Sequence, residues 1–421
     1  MTRSLREHPS ASEFLREFQD THLSELSFLL AQRRRFLHEP RVGWPDIEAL
    51  EVRILRHAEA MCVGGEVAFA CAKEALASDD PDELTAGAYA LAFTEDGIRE
   101  VLRGMAEADG PLLPCFIEAL LLVPHPHLSK QLPGLLSSSR PEVRSSTARI
   151  LGHRKDAQAA GALLPLLDDA SAEVRSATAL ALAELGHLPA LPLIEQRLKQ
   201  VGAVELDGWL LAALRLGSSR ALPACRQAAR TVSPLSPRIP WLLGLSGDAT
   251  DLGLMRQLCL HPGLLCSALD ALGILGVPAA VPLLLEHLEH QERGVKEAAA
   301  RALELMTGAG LTEVLRVLDD EDMADEEGSW HEVRQPTTQA TTWRAWWAQH
   351  HARLEGLTRL RRGRPYSLDS CIEELAHPSC AFDVRARAGL EMDIRSGEVV
   401  GFQPDWPIRR QLQAIAHWKR R

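Results

Sequence analysis

Counting from Val174, apolar residues fall at Ala177, Ala181, Leu182 and Leu185, with Thr178 between them. These offsets trace one stripe of a 3.6-residue period and predict an amphipathic helix. The same offsets from Val295 give Ala298, Ala299, Ala302, Leu303 and Met306; from Leu264 they give Ser267, Ala268, Ala271, Leu272 and Leu275. Each stripe closes on a glycine, and Gly152, Gly186, Gly217, Gly247, Gly276 and Gly308 stand 34, 31, 30, 29 and 32 residues apart. A glycine at that place predicts the left-handed residue that ends a helix. Upstream of the stripes lie second apolar stretches at 163–167, 191–194 and 281–285, separated from them by polar turns such as Asp168-Asp169-Ala170-Ser171. The unit is helix A, turn, helix B, recurring from 132 to 308, and such self-similarity is the mark of a repeat protein. Neither helix buries its stripe alone. Alanines on helix B let neighbours approach, and stacking builds one continuous core. The predicted fold is all-α, a solenoid of stacked antiparallel helix pairs. Pro234, Pro237 and Pro240 predict a broken helix B in the middle of it.

Either side of the repeats the pattern stays helical but diverges. Residues 11–37 carry Phe14, Leu15, Phe18, Leu23, Leu26, Leu29, Leu30 and Phe36 and end in Arg33-Arg34-Arg35. They read as a capping helix, since Glu13, Glu17, Asp20 and Glu25 disfavour a membrane-surface role. Helix pairs are expected at 46–60 with 64–77, 82–93 with 95–106, and at 112–123. The chain divides into an N-terminal capping region (1–124), the repeats (125–318), an acidic loop with a Trp-rich helix and basic linker (319–366), and a C-terminal helical cap (367–421). The acidic run 319–327 lacks the alternating ligands and glycine turn of a calcium loop and reads as solvated. Trp343, Trp346 and Trp347 share one helical face, which fits docking of that helix onto the preceding repeat. Residues 359–365 read as a basic linker, and 368–377 with 382–395 as a last helix pair.

Composition alters little in this picture. The chain has 421 residues, 46% hydrophobic and 24% charged, which is ordinary for a globular protein. A formal charge of −11 argues against a dedicated nucleic-acid or anionic-membrane binder. No run approaches the 18 apolar residues of a spanning helix, and no apolar signal core follows the N-terminus. The eight cysteines form no CxxC and sit in apolar contexts, so reduced, buried cysteines and a cytoplasmic location are expected.

The Glu-Val-Arg starts at Glu142-Val143-Arg144 and Glu173-Val174-Arg175 resemble those of short HEAT repeats of the phycobilisome-lyase-like class. Further motifs resemble an uncharacterised family of bacterial HEAT-like proteins. They are 25–33, Leu50-Glu51-Val52-Arg53, Trp343-Arg344-Ala345-Trp346-Trp347, Arg362-Gly363-Arg364-Pro365 and 384–391. Members of that family often occur near type VI secretion genes, so the resemblance implies an accessory, adaptor or immunity role. It brings no ligand and no site residue.

Candidate chemistry is sparse. HEAT-type deoxyhypusine hydroxylases carry His-Glu dyads on their repeats, whereas here His38-Glu39 and His331-Glu332 fall outside them. Glu286, His287 and His290 lie within about one helical turn but lack further ligands nearby in sequence. His125-Pro126-His127 reads as a loop. No nucleophile-base arrangement can be picked out, and no metal, cofactor or catalytic residue is assigned. What a solenoid offers is a surface. In HEAT stacks the B helices line the concave side, and positions escaping the buried stripe place Arg149, Leu180, Asp207, Leu211, Leu214, Leu243, Asp270 and Arg301 there. One expectation is a groove, apolar at its centre with Leu211 and Leu214 exposed, that takes a segment of another protein; the other is that Leu180, Leu211 and Leu214 pack against adjacent B helices. The chain is read as a non-catalytic scaffold. The alternative is an enzyme of the bilin-lyase or metal-dependent type on the same frame.

Overall fold

The structure is a computed structural model, and it describes residues 9–231, 236–318, 330–354 and 356–420. Pro234 and the acidic run 319–327 lie outside the described residues.

The chain opens with α1 (Pro9–Phe36), α2 (Ile47–Val63), α3 (Gly65–Ala75), α4 (Pro81–Leu91), α5 (Glu95–Glu107) and α6 (Leu113–Leu122). The ends of these helices follow from local chemistry. Asp80 accepts from the amides of Asp82 and Glu83 and Pro81 takes N1, while Thr94 accepts from Gly97 at the start of α5. Next come α7 (Leu128–Gln131), α8 (Pro141–Arg154), α9 (Ala160–Leu163), α10 (Ala172–Glu184) and α11 (Leu191–Arg197). They are followed by α12 (Ala203–Arg215), α13 (Ala221–Arg230), α14 (Arg238–Ser246), α15 (Leu252–Leu258), α16 (Leu265–Leu275), α17 (Val281–His287) and α18 (Arg293–Thr307). The B helices are α8, α10, α12, α14, α16 and α18. The A stretches around α7, α9, α11, α15 and α17 are short and run on from or into 3-10 turns. Prolines such as Pro165, Pro189 and Pro278 fall in those turns, where no amide hydrogen is required.

The predicted stripes are core except at Leu185 and Ser267, which are half-buried. Val174, Ala177, Ala181 and Leu182 are buried, as are Val295, Ala298, Ala299, Ala302, Leu303 and Met306. Gly186, Gly217, Gly276 and Gly308 take the left-handed conformation expected of them. Gly152 and Gly247 do not. Lys155, three residues later, is the left-handed residue after α8, and Gly247 is extended. Gly152 serves packing instead, because a Cβ there would stand 2.7 Å from the Ala181 Cα. Helix α14 is short, nine residues from Arg238 to Ser246. Pro237 precedes its first turn and Pro240 sits within it.

After α18 the chain departs from the helical expectation. Strands β1 (Thr312–Leu318) and β2 (Trp330–Pro336) pair antiparallel in the register Thr312↔Pro336 to Leu318↔Trp330. Helix α19 (Ala340–Leu354) follows, with Trp343 buried and its indole N–H donating to the Thr337 carbonyl at 2.6 Å. Arg344 of α19 reaches Glu289 just past α17, at 2.6 Å. Strands β3 (Leu360–Arg361) and β4 (Arg364–Pro365) lie in the segment read as a basic linker. That segment is no linker. Arg362 and Gly363, at φ 50° and 73°, make the two-residue turn of a hairpin, and Leu360 and Arg361 are fully buried. The hairpin covers the ends of two B helices. Leu360 N donates to Gly276 O at 2.6 Å, Arg362 N to Leu305 O at 2.9 Å and Gly363 N to Met306 O at 2.8 Å. These contacts satisfy carbonyls that a helix end leaves open. The chain finishes with α20 (Leu368–Ala376), α21 (Phe382–Ser396) and α22 (Ile408–Lys419).

The described residues form two compact units. One holds the chain up to Ile194 together with Ile372–Asp393 and the stretch from Glu398 onward; the other holds Glu195–Cys371 and Ile394–Gly397. In the first unit the C-terminal residues fold with the N-terminal helices. The Trp406 indole donates to His153 O at 2.8 Å, Arg33 Nη2 to Asp405 O at 2.7 Å, and Ile408 N to the Glu51 carboxylate at 2.8 Å. Five of the cysteines are buried, but Cys62 and Cys266 are exposed, contrary to expectation. No helix among the described residues is long and apolar enough to cross a membrane.

Candidate interaction surface

The Glu-Val-Arg signature fixes how the first unit presents its B helices. Arg144 donates from Nε and Nη2 to both carboxylate oxygens of Asp169, at 2.8 and 2.7 Å, and from Nη1 to Ser138 O at 2.8 Å. Asp169 also accepts from Ser171 N at 2.8 Å, which shapes the turn before α10. The Arg144 hydrogen bond, aided by the Ser171 amide, holds the Asp169 carboxyl below its ordinary value against the opposing effect of burial. Arg175, the equivalent residue on α10, binds the carbonyls of Asp169 and Ala170 at 2.8 and 3.0 Å. One arginine thus ties a helix to the turn of its own repeat and the other ties adjacent repeats together.

On the face between the ties, Arg149 of α8 is exposed and donates to Glu173 at 3.0 Å, and Glu173 also accepts from Ser145 Oγ at 3.0 Å. Leu180 of α10 is half-buried. The second unit carries the same kind of rung. Arg301 of α18 grips Asp270 of α16 through Nε and Nη2, at 3.2 and 2.9 Å, with the arginine exposed and the aspartate half-buried. Asp207 of α12 accepts from Ser236 Oγ at 3.0 Å and stands 3.9 Å from Arg238.

The apolar centre is the correction. Leu211 and Leu214 are each 5% exposed, and Leu243 is fully buried. These three are core, so the expected groove has no apolar floor. The reason was present in the chain itself. Residues 208–214 read Gly-Trp-Leu-Leu-Ala-Ala-Leu, apolar over the whole circumference, and such a helix is buried on every side. Even Arg215 beside them is only 2% exposed. Transferring the register of α8 and α10 onto α12 and α14 carried an outward position onto helices that have no outward side there. Missed by the same reasoning were Glu173 and Arg238 as partners of the charged positions. Glu173 was legible, being the first residue of a Glu-Val-Arg signature.

No three of His, Cys, Asp and Glu converge to hold a metal among the described residues. His287 Nδ1 is hydrogen-bonded to Leu283 O at 2.8 Å, and His290 Nδ1 accepts from Glu292 N at 3.1 Å. His127 faces Glu95 at 3.3 Å, its ring 5.3 Å from that of His125.

The family model for HEAT repeats matches residues 128–206, and that for the PBS lyase HEAT-like repeat matches 264–290. The chain is therefore an all-α protein built on HEAT-like repeats. No curated protein matches it. Among solved structures it is similar to the complex of CpcE and CpcF of phycocyanin lyase from Nostoc sp. PCC7120. That likeness has 20% identity over 56% of this chain and 85% of the other, with a TM-score of 0.31. An engineered protein gives 16% identity, 89% and 99% coverage and a TM-score of 0.31. A structure of Kap95p with RanGDP gives 11% identity over 94% of this chain and 54% of the other, with a TM-score of 0.35. At these values the likenesses carry no argument about activity.

Proposed function

We propose that this chain is a non-catalytic scaffold or adaptor that binds another protein through the faces of its B helices, on the concave side of the HEAT solenoid. The observation behind this reading is the pair of exposed rungs, Arg149–Glu173 in one unit and Arg301–Asp270 in the other. Each sets a charged pair on a helix face whose backbone is fixed by close packing beneath. Extended, pre-formed faces of this sort are what repeat solenoids use to bind proteins. With Leu211, Leu214 and Leu243 in the core, recognition rests on Arg149 with Leu180 as the apolar contact in the first unit, and on Asp207, Asp270 and Arg301 in the second. Such a surface selects partners by charge pattern more than by buried area.

The resemblance to HEAT-like proteins encoded near type VI secretion genes extends the proposal to an accessory, adaptor or immunity role for that apparatus. The test is affinity capture from the native cell with wild-type chain and with an Arg149→Glu, Arg301→Glu variant. Secretion components should be retained by the wild type and lost from the variant while the helical CD signal is unchanged. Equal retention by both would remove the B-helix faces from the proposal. One tightly bound metal or chromophore per chain, in protein purified without chelators, would favour the enzyme alternative.

A further inference from the structure

Within the first unit, α1, α2, α4 and the end of α6 meet the residues leading into α22 around a cavity of about 270 Å³. Its walls are mostly apolar: Val52, Ile54, Leu55, Leu122, Pro124 and Pro407. Two buried polar side chains also line it, Arg33 at 4% and Tyr89 at 5% exposure. Arg33 uses Nε on the Glu51 carboxylate at 2.8 Å and Nη2 on Asp405 O at 2.7 Å. Nη1 is left with no protein acceptor among the described residues. The Tyr89 ring lies edge-on to Phe93 at 5.1 Å, and its hydroxyl likewise has no protein acceptor among the described residues. Burial pushes the phenol above its ordinary value, so that hydroxyl remains a donor across the accessible pH range.

An arginine N–H and a phenol hydroxyl with no protein acceptor, on the wall of an apolar cavity, favour an occupant that brings an oxygen acceptor. Charge narrows what that acceptor is. Arg33 is neutralised by Glu51, and at the rim Glu48 is paired with Arg409 at 2.9 Å. The four charges sum to zero, so an added carboxylate would meet Glu51 with no cation in excess. We propose that this cavity binds a small apolar molecule bearing an uncharged oxygen acceptor, a ketone or carboxamide, whose oxygen is received by Arg33 Nη1 and the Tyr89 hydroxyl. An apolar cavity of about 150 Å³ accepts benzene. The space here therefore suits an aromatic ring with a short carbonyl-bearing branch.

Acetophenone is the probe, with ethylbenzene as the control lacking an acceptor and phenylacetate as the charged one. The full chain is titrated and followed by saturation-transfer NMR and thermal shift. Acetophenone should bind saturably and about tenfold more tightly than either control, the worth of a hydrogen bond or two. Leu55→Trp, at the rim where Leu55 is already 36% exposed, should fill the entrance and abolish binding without unfolding the chain. Tyr89→Phe should weaken binding about three- to tenfold while keeping the ring in place. Absence of saturable acetophenone binding, or binding untouched by Leu55→Trp, overturns the site. Ethylbenzene binding as well as acetophenone overturns the donor role, and tighter binding of phenylacetate overturns the charge assignment.

Discussion

The helices α8 and α10 follow the same repeat rule as α12 and α14, yet the rule's outward position means opposite things in the two pairs. On α8 and α10 the sixth position from the first buried valine is Arg149, exposed, and Leu180, half-buried. On α12 and α14 the positions read as outward hold Leu211, Leu214 and Leu243, all core, alongside Asp207, which is half-buried. The difference lies in what surrounds the stripe. In α10 the buried residues are Val174, Ala177, Thr178, Ala179, Ala181, Leu182 and Ala183, mostly alanines, and Leu180 stays half-buried among them. In α12 the equivalent stretch is bulkier, with Trp209 and three leucines, and Trp209 through Leu214 are all buried. A repeat register states which residues are equivalent. Exposure is decided by what packs around each position.

The largest effect should come from a charge at the contrasting positions. Leu211→Glu places a carboxylate with no partner in the core of α12 and should cost about 3–5 kcal/mol. Leu180→Glu, half-exposed on α10, should cost about 1 kcal/mol or less. Urea or thermal denaturation of the two variants reads the gap directly. If Leu211→Glu unfolds at the same midpoint as Leu180→Glu, the two pairs are alike and the burial argument fails.

How closely neighbouring B helices approach gives the second contrast. Replacing glycine by alanine inside a helix ordinarily stabilises it by up to about 1 kcal/mol. At Gly152 the added methyl would lie 2.7 Å from the Ala181 Cα, and at Gly273 it would lie 2.6 Å from the Ala302 Cα. Backbone atoms cannot step aside, so Gly152→Ala and Gly273→Ala should each destabilise by about 1–3 kcal/mol. Gly294, in the first turn of α18, has nothing within 4 Å of such a methyl. Gly294→Ala should therefore be neutral or stabilising. The same sign for all three would show that the helices are not in close contact.

Much of this architecture was legible because it is periodic. The stripes from Val174, Leu264 and Val295 fixed the B helices, and four glycines marked their left-handed ends. Gly152 could not be told from those four, because its part is played out against Ala181 on another helix and Lys155 takes the left-handed place. The β1–β2 pairing was missed as its strands lie on either side of 319–329, far apart for a local reading. The turn at Arg362-Gly363 was hidden by five arginine and proline residues that look solvated; its docking depends on Gly276, Leu305 and Met306. Of the surface, the charged residues were readable one by one but not their pairing. The cavity draws on residues from Arg33 to Arg409, and no sequence window contains it.

The smallest effect concerns the tie between repeats, and it carries a pH signature. Asp169→Asn keeps the shape of the turn before α10 but removes the charge gripped by Arg144 at 2.8 and 2.7 Å. The expected loss at pH 7 is about 1–2 kcal/mol. Because the folded carboxyl sits below its unfolded value of about 3.9, its contribution is fully present above that value. It is lost as pH falls through the lower, folded value, where both states become protonated. The wild-type advantage should thus hold from neutral pH down to about pH 5, shrink below pH 4 and vanish under stronger acid. Denaturation of both proteins across that range gives the curve. Arg301 and Asp270 make a comparable bidentate contact but with 52% and 37% of their side chains exposed. Asp270→Asn should therefore shift stability by about 1 kcal/mol at most, and with weaker pH dependence. If Asp270→Asn instead matched Asp169→Asn in size, the rungs of the exposed face would be structural ties rather than a surface free to recognise a partner.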